Sequence, residues 1–204
     1  GEFIEAAVPV YESRARFVQL LNEMLPKIYR DLFRVEEILT AIYDHQLRER
    51  LGERPDFRGA LYERINQVQE GERAIGHTLV GPHRDDFLLQ ISGRDAKSFG
   101  SQGEIRGAVI ALKISQLELS RKHRSFSPIL LLDDIISELD DRRVKALVDY
   151  LSIYPGQLFV TTAEVAKVTT LHQQFSGFKL ITLKPEFSGD FPSENRSERV
   201  SISL

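Results

Sequence analysis

The sequence predicts an α/β protein, and three observations carry that prediction. Apolar runs of strand length recur through the later part of the chain: Phe87-Leu88-Leu89-Gln90-Ile91, Ile129-Leu130-Leu131-Leu132, Gln157-Leu158-Phe159-Val160-Thr161 and Phe178 to Leu183. Longer stretches with apolar residues at helical spacing separate them, from Glu104 to Arg124 and from Asp141 to Leu151. Strands alternating with helices imply a sheet with helices packed on it. The third observation is a change of character at Gly76: residues 1–75 read as mostly helical, 76–183 as the sheet-bearing part, and 184–204, rich in Ser, Glu, Arg and Pro, as a disordered tail.

Taken in order, Phe17, Leu20, Leu21, Met24, Leu25, Ile28, Tyr29 and Leu32 form the apolar face of a helix from Val10 to about Phe33. Pro26 inside it predicts a kink or a split into two helices. Residues 37–44 are short and partly β-branched, and fit a helix or a strand equally. Gly52 to Pro55 reads as a break. Phe57, Leu61, Ile65 and Val68 mark another helix, expected to close near Gly71. Thr78-Leu79-Val80 and Phe87 to Ile91 read as strands on either side of Gly81-Pro82-His83-Arg84-Asp85-Asp86, and Ser92-Gly93-Arg94-Asp95 as a turn. Asp140-Asp141 can cap a helix whose inner face is Val144, Leu147, Val148 and Leu151. A short helix from Val165 to Gln173 precedes the last strand.

Charge and composition exclude more than they select. The formal charge of −3 and pI near 6.0 give no global attraction to nucleic acid. Residues 1–76 carry 11 basic and 14 acidic side chains, and residues 77–204 carry 16 of each, so a nucleic-acid surface must come from local arrangement. There is no cysteine, which excludes disulfides and thiolate metal sites and fits a reducing compartment. Without an 18-residue apolar run or a signal-peptide layout, a cytoplasmic protein with no membrane partner is expected. The chain starts at Gly1 and its single methionine is Met24, which points to a fragment of a longer protein.

Two places carry chemistry. Four apolar residues ending in Asp133-Asp134 put two like charges at the edge of a core, which calls for a compensating cation or a functional reason. Asp133 would hold Mg²⁺, a hard cation that prefers oxygen. Asp134, leaving the strand on a different vector, would accept a proton from an attacking water. A strand simply ending in a turn also accounts for the pair. Upstream, Gly100-Ser101-Gln102-Gly103 opens a helix directly, and backbone N–H groups at a helix start attract anions. Taken alone, Ser101 with Glu104 is more simply a capping box. Arg121-Lys122-His123-Arg124 at the other end complement the helix dipole. In Gly81 to Asp86, a turn with local ion pairing is the simpler account than a metal site.

In their order, Gly81-Pro82-His83-Arg84-Asp85-Asp86, Phe99-Gly100-Ser101-Gln102-Gly103, Leu130-Leu131-Leu132-Asp133-Asp134 and Ser137-Glu138-Leu139-Asp140-Asp141-Arg142-Arg143 resemble the head domain of ABC-type ATPases, and within it the RecF family of bacterial recombination-repair proteins. The resemblance implies the C-terminal half of such a head (lobe I) over 76–183, preceded by a mostly helical part of lobe II over 1–75. Ser101, Gln102 and Gly103 would be the signature motif touching the γ-phosphate of ATP on the other subunit. Asp133 would be the Walker B magnesium ligand and Asp134 the general base. Ser137 to Asp140 would be the D-loop. The resemblance further implies ATP and Mg²⁺ as cofactors, an ATP-dependent homodimer closing on double-stranded or gapped DNA, and work with RecO and RecR in loading RecA during repair, replication and the SOS response.

The chain departs from that pattern at three points. No glycine is followed by lysine, so the phosphate-cradling motif G-x-x-x-x-G-K-[ST] (Walker A) is absent and is expected in residues before Gly1. Glu104 follows Gly103 where the family usually has glutamine. Thr161-Thr162-Ala163 ends a strand where many ABC proteins place a γ-phosphate-sensing histidine, and Thr162 would substitute as a hydrogen-bond donor. A non-catalytic interaction module, unable to bind ATP alone, is the competing expectation for the chain by itself.

Overall fold

The structure, a computed structural model, describes residues 1–48, 51, 56–123, 127–164, 179–183 and 199–203. Its elements are α1 (Glu2–Phe33), β1 (Leu39–Asp44), α2 (Phe57–Ile75), β2 (Asp86–Ile91), β3 (Arg94–Asp95), α3 (Ala96–Phe99), α4 (Gln102–His123), β4 (Leu130–Asp133), α5 (Asp141–Leu151), β5 (Leu158–Thr162), β6 (Lys179–Leu183) and β7 (Arg199–Ser203). They group into two compact units. One holds residues 1–27 and 37–101, the other 28–36 and 102–204. The change of character at Gly76 falls inside the first unit.

In the first unit, the uncertain segment 37–44 is the strand β1, because it has partners on both edges. It pairs antiparallel with β2 in the register Leu39↔Ile91 to Asp44↔Asp86. On its other edge the Asn22 amide does the work of a strand, donating to the Ala41 carbonyl and accepting the Ala41 N–H, both at 2.8 Å. The β2–β3 hairpin turns through Ser92 (φ 48°) and Gly93 (φ 79°), left-handed residues whose twist suits a two-residue hairpin loop. Tyr11, Leu61 and Leu47 are fully buried with Val8, Phe57, Ala60 and Val80 in one cluster, and the Tyr11 and Phe57 rings stack at 5.5 Å.

Two local expectations change here and a third narrows. α1 is one continuous helix through Pro9 and Pro26, so of the kink or split expected at Pro26 the split does not occur. Leu21, Leu25, Tyr29 and Leu32 are buried on either side of Pro26, and their burial offsets the lost hydrogen bond. α2 passes Gly71 and ends at Gly76, whose φ of 74° and N–H bond to the Glu72 carbonyl make the left-handed stop. Thr78 to Val80 form no strand: the Leu79 N–H is taken by the Glu72 carboxylate at 2.7 Å, leaving no ladder to join.

The second unit contains a four-stranded sheet in the order β4-β5-β7-β6. β4 and β5 are parallel, from Leu130↔Leu158 to Asp133↔Thr161, and the remaining pairs are antiparallel. Leu132, Leu158 and Val160 are buried in the sheet, as are Ala108, Ala111 and Ile114 of α4 and Val144, Leu147, Val148 and Leu151 of α5. Truncating a fully buried residue such as Leu147 to Ala costs about 2–5 kcal/mol. Arg199–Ser203 fall inside the tail expected to be disordered, yet form β7 between β5 and β6. Alternating Val200 and Ile202 give those five residues a strand's composition, and two neighbours supply the pairing. The break at 52–55, the helix at 165–173 and tail residues 184–198 lie outside the described residues.

Candidate nucleotide site

β4 delivers Asp133 to the end of the parallel β4–β5 pair, where the residue is exposed. The register places Thr161 of β5 directly opposite. Its hydroxyl donates to Asp133 Oδ1 at 2.6 Å and accepts the Asp134 N–H at 3.0 Å, while the Thr161 carbonyl takes the same N–H at 3.2 Å. The chain then turns out of the strand at Asp134, whose φ of 51° is left-handed, a conformation that Asp tolerates better than most residues. Asp133 and Asp134 thus differ in backbone conformation, the first in the strand and the second left-handed.

The following turn, Ile135–Glu138, is pinned from below by buried Ile136 and Leu139. Ser137 Oγ donates to Asp134 Oδ1 at 2.5 Å and lies 3.0 Å from Thr162 Oγ1. Thr162 is 1% exposed, and its hydroxyl also accepts the Glu164 N–H at 3.1 Å. The structure thus commits Thr162 inward to Ser137 and Glu164, and the threonine beside the exposed carboxylate is Thr161. Sequence reasoning missed Thr161, since only the β4–β5 register identifies it. Asp140 caps α5 by accepting the Arg143 N–H at 2.9 Å. That bond, aided by the Arg143 charge, holds the Asp140 carboxyl below the usual carboxylate range.

Ser101 and Gln102 are exposed at the boundary where α4 begins, and Gly103 is in its first turn. A Cβ added at Gly103 would lie 2.5 Å from Arg143 Nη1. The same guanidinium donates to Asp140 Oδ2 at 2.8 Å and sits 6.0 Å from the Phe33 ring centroid. Within this unit, then, the helix start and the Ser137–Asp140 turn meet at Arg143. The sequence contained the residue but no sign of that contact.

The Gly81–Asp86 segment belongs to the first unit, where residues outside it hold it in place. Asp85, its side chain 1% exposed, accepts from Tyr43 Oη and faces Arg14 at 3.4 Å. Arg14 also donates to the Pro82 carbonyl. His83 Nε2 lies 3.1 Å from Thr78 Oγ1, and Arg84 donates to the Thr78 carbonyl at 3.0 Å. No group of three or more His, Cys, Asp or Glu residues able to hold a metal occurs among the described residues. No helix among them is long and apolar enough to cross a membrane.

No protein-family model matches the chain. Curated relatives do. The DNA replication and repair protein RecF of Geotalea uraniireducens is 37% identical over 160 residues, covering 78% of this chain and 44% of the relative. The protein of the same name from Bacillus velezensis is 38% identical over 177 residues, covering 84% and 47%. The chain therefore spans somewhat under half the length of the curated relatives it matches. A solved structure of the recombination mediator protein RecF with ATP, in the RecFOR pathway, superposes with a TM-score of 0.64 at 29% identity, covering 80% of this chain and 43% of that one. A structure from work on ATP-driven dimerisation and DNA-stimulated activation of SMC ATPases shares the fold, with a TM-score of 0.51 at 14% identity, over 95% of this chain and 88% of that one. The motif order at Gly81, Ser101, Asp133 and Ser137, the α/β sheet and these matches together place the chain in the RecF family, as a C-terminal portion of such a protein.

Proposed function

We propose that this chain supplies two half-sites of a RecF-type DNA repair ATPase: Asp133 and Asp134 for the nucleotide of its own subunit, and Ser101, Gln102 and Gly103 for the nucleotide of a partner. The single observation that carries this is the end of β4, where Thr161 orients Asp133 and a left-handed turn sends Asp134 elsewhere. The donor chemistry there suits Mg²⁺. One exposed carboxylate with adjacent hydroxyls cannot cage a metal alone, and Mg²⁺ is usually held by one or two carboxylates plus substrate phosphates and water. When bound, it would neutralise phosphate charge. Asp134, buttressed by Ser137, accepts the proton of the attacking water.

The complete protein binds ATP and DNA and dimerises on ATP. It acts on double-stranded or gapped DNA with RecO and RecR to load RecA. Support comes from the relatives, which are DNA replication and repair proteins, and from the solved RecF–ATP structure. A nucleotide titration tests this proposal. The complete protein should bind ATP and hydrolyse it only with Mg²⁺, whereas the 204-residue chain, which has no Gly-Lys pair, should not bind ATP at micromolar concentration. Tight binding by the chain alone, or Mg²⁺-independent turnover by the complete protein, would overturn it.

The absent Gly-Lys pair also favours a second function for the isolated chain, that of an interaction module. RecR binding by the chain without nucleotide would establish it, and binding that needs ATP and the complete protein would reject it.

A further inference from the structure

We propose that Arg143 is a positioning residue that locks the Ser137–Asp140 turn to the first turn of α4, so that what one of them touches is felt by the other. This rests on the nucleotide assignment above and adds a residue to which that assignment gives no role.

Arg143 engages both oxygens of Asp140, through its backbone N–H at 2.9 Å and its Nη1 at 2.8 Å. The far end of the same side chain occupies the space that any side chain at position 103 would need, with Nη1, Cζ and Nη2 at 2.5, 3.3 and 3.5 Å from an added Cβ. Gly103 is not among the residues of positive φ, so its backbone conformation does not demand glycine. The Arg143 guanidinium fills the space beside it. Phe33 completes the arrangement: its ring lies 6.0 Å from the guanidinium and within 3.3 Å of a Cβ added at Gly107. Gly103 and Gly107 are one turn apart on the same face of α4. Two glycines thus let one arginine–phenylalanine stack approach the helix.

The placement is electrostatically costly if its purpose is only structural. A cation at a helix N-terminus opposes the dipole. The Arg143–Asp140 pair is partly exposed, at 27% and 52%, and such pairs add little stability. What the arrangement does achieve is geometric. A planar guanidinium with fixed donors transmits the position of Asp140 to the backbone at Gly103, which a flexible ammonium would do poorly. The turn beside Asp134 and the helix start beside Gln102 are then held as one piece.

The test uses the complete protein with Arg143→Ala and Arg143→Lys. Arg143→Ala should leave the urea midpoint and the ATP affinity of the monomer close to wild type and weaken ATP-dependent dimerisation about tenfold. Arg143→Lys, which keeps the charge but not the planar fork, should weaken it nearly as much. Wild-type dimerisation in Arg143→Ala, full rescue by Arg143→Lys, or monomer ATP affinity falling as far as dimerisation would overturn the link. Hydrogen exchange without nucleotide separates this from the ATPase assignment. Arg143→Ala should speed exchange together in the first turn of α4 and in Ser137–Asp140. Faster exchange in only one of them removes the coupling even if the protein hydrolyses ATP. Coupled exchange in a protein that neither dimerises nor hydrolyses would keep the link and remove the assignment.

Discussion

Thr161 donates its hydroxyl hydrogen to Asp133 across the β4–β5 pair at 2.6 Å, and the same oxygen receives the amide of Asp134. One side chain on a neighbouring strand therefore orients the first acid and anchors the backbone of the second. Thr161→Val keeps the β-branched shape and removes only the hydroxyl. Folding stability should fall by about 0.5–1.5 kcal/mol, read by urea denaturation. In the complete protein, turnover should fall about tenfold with little change in ATP affinity, because a misplaced group loses rate faster than binding. Wild-type turnover in this variant would show that Asp133 needs no orienting partner.

Asp134→Asn preserves an acceptor for Ser137 while removing the basic oxygen. ATP binding by the complete protein should be unchanged and single-turnover hydrolysis should drop by about 10²-fold or more. Unchanged hydrolysis would remove Asp134 as the base.

Ser101 is exposed, so Ser101→Arg should not disturb the fold. A bulky cation where a partner's phosphate is expected to dock should abolish ATP-dependent dimerisation and leave monomer ATP binding nearly intact. Light scattering with and without ATP reads the first, and equilibrium binding reads the second.

Burial of the imidazole pushes His45 below the ordinary histidine value. Asp85 and Asp44 oppose that shift, and Arg48 adds to it. The sign follows directly: below about pH 6.5 the unfolded chain takes up a proton that the folded state resists, so stability is complete above that pH and declines as pH falls toward the depressed folded value. Urea midpoints from pH 7.5 to 5 should decrease, and His45→Gln should flatten the slope. NMR titration should place the His45 midpoint below about 6.5.

Tyr11 is fully buried, and its hydroxyl is among the buried atoms with no hydrogen-bond partner in the described residues. Burial also raises its pKa, keeping the ring neutral. Tyr11→Phe discards an unsatisfied polar atom while keeping the stack on Phe57. The variant should be as stable as wild type or more stable by up to about 1 kcal/mol. A clear loss in the urea midpoint would mean that the hydroxyl has a partner, such as an internal water.

Much of the fold was legible because period and capping are local properties. The 3.6-residue spacing of Val144, Leu147, Val148 and Leu151, with Asp140 in front, marked α5, and the structure ends that helix at Leu151. The apolar runs at β2, β4 and β5 were equally plain. Where the sequence left a choice open or chose wrongly, a distant group decided. Pairing with β2 and Asn22 made a strand of 39–44, which the sequence left open, and the Glu72 carboxylate kept 78–80, expected as a strand, from becoming one.

The paired carboxylates after an apolar run, the helix-opening Ser101-Gln102-Gly103 and the missing Gly-Lys pair are facts of order and residue type, and the sequence alone determined them. Which hydroxyl faces Asp133, that Thr162 turns inward, and that Arg143 occupies the space above Gly103 were decided only by tertiary structure. The physical reason is that each depends on a register or crossing between segments far apart in the chain. Sequence periodicity defines the face a residue takes within its own helix or strand, but not which residue of another element will stand opposite.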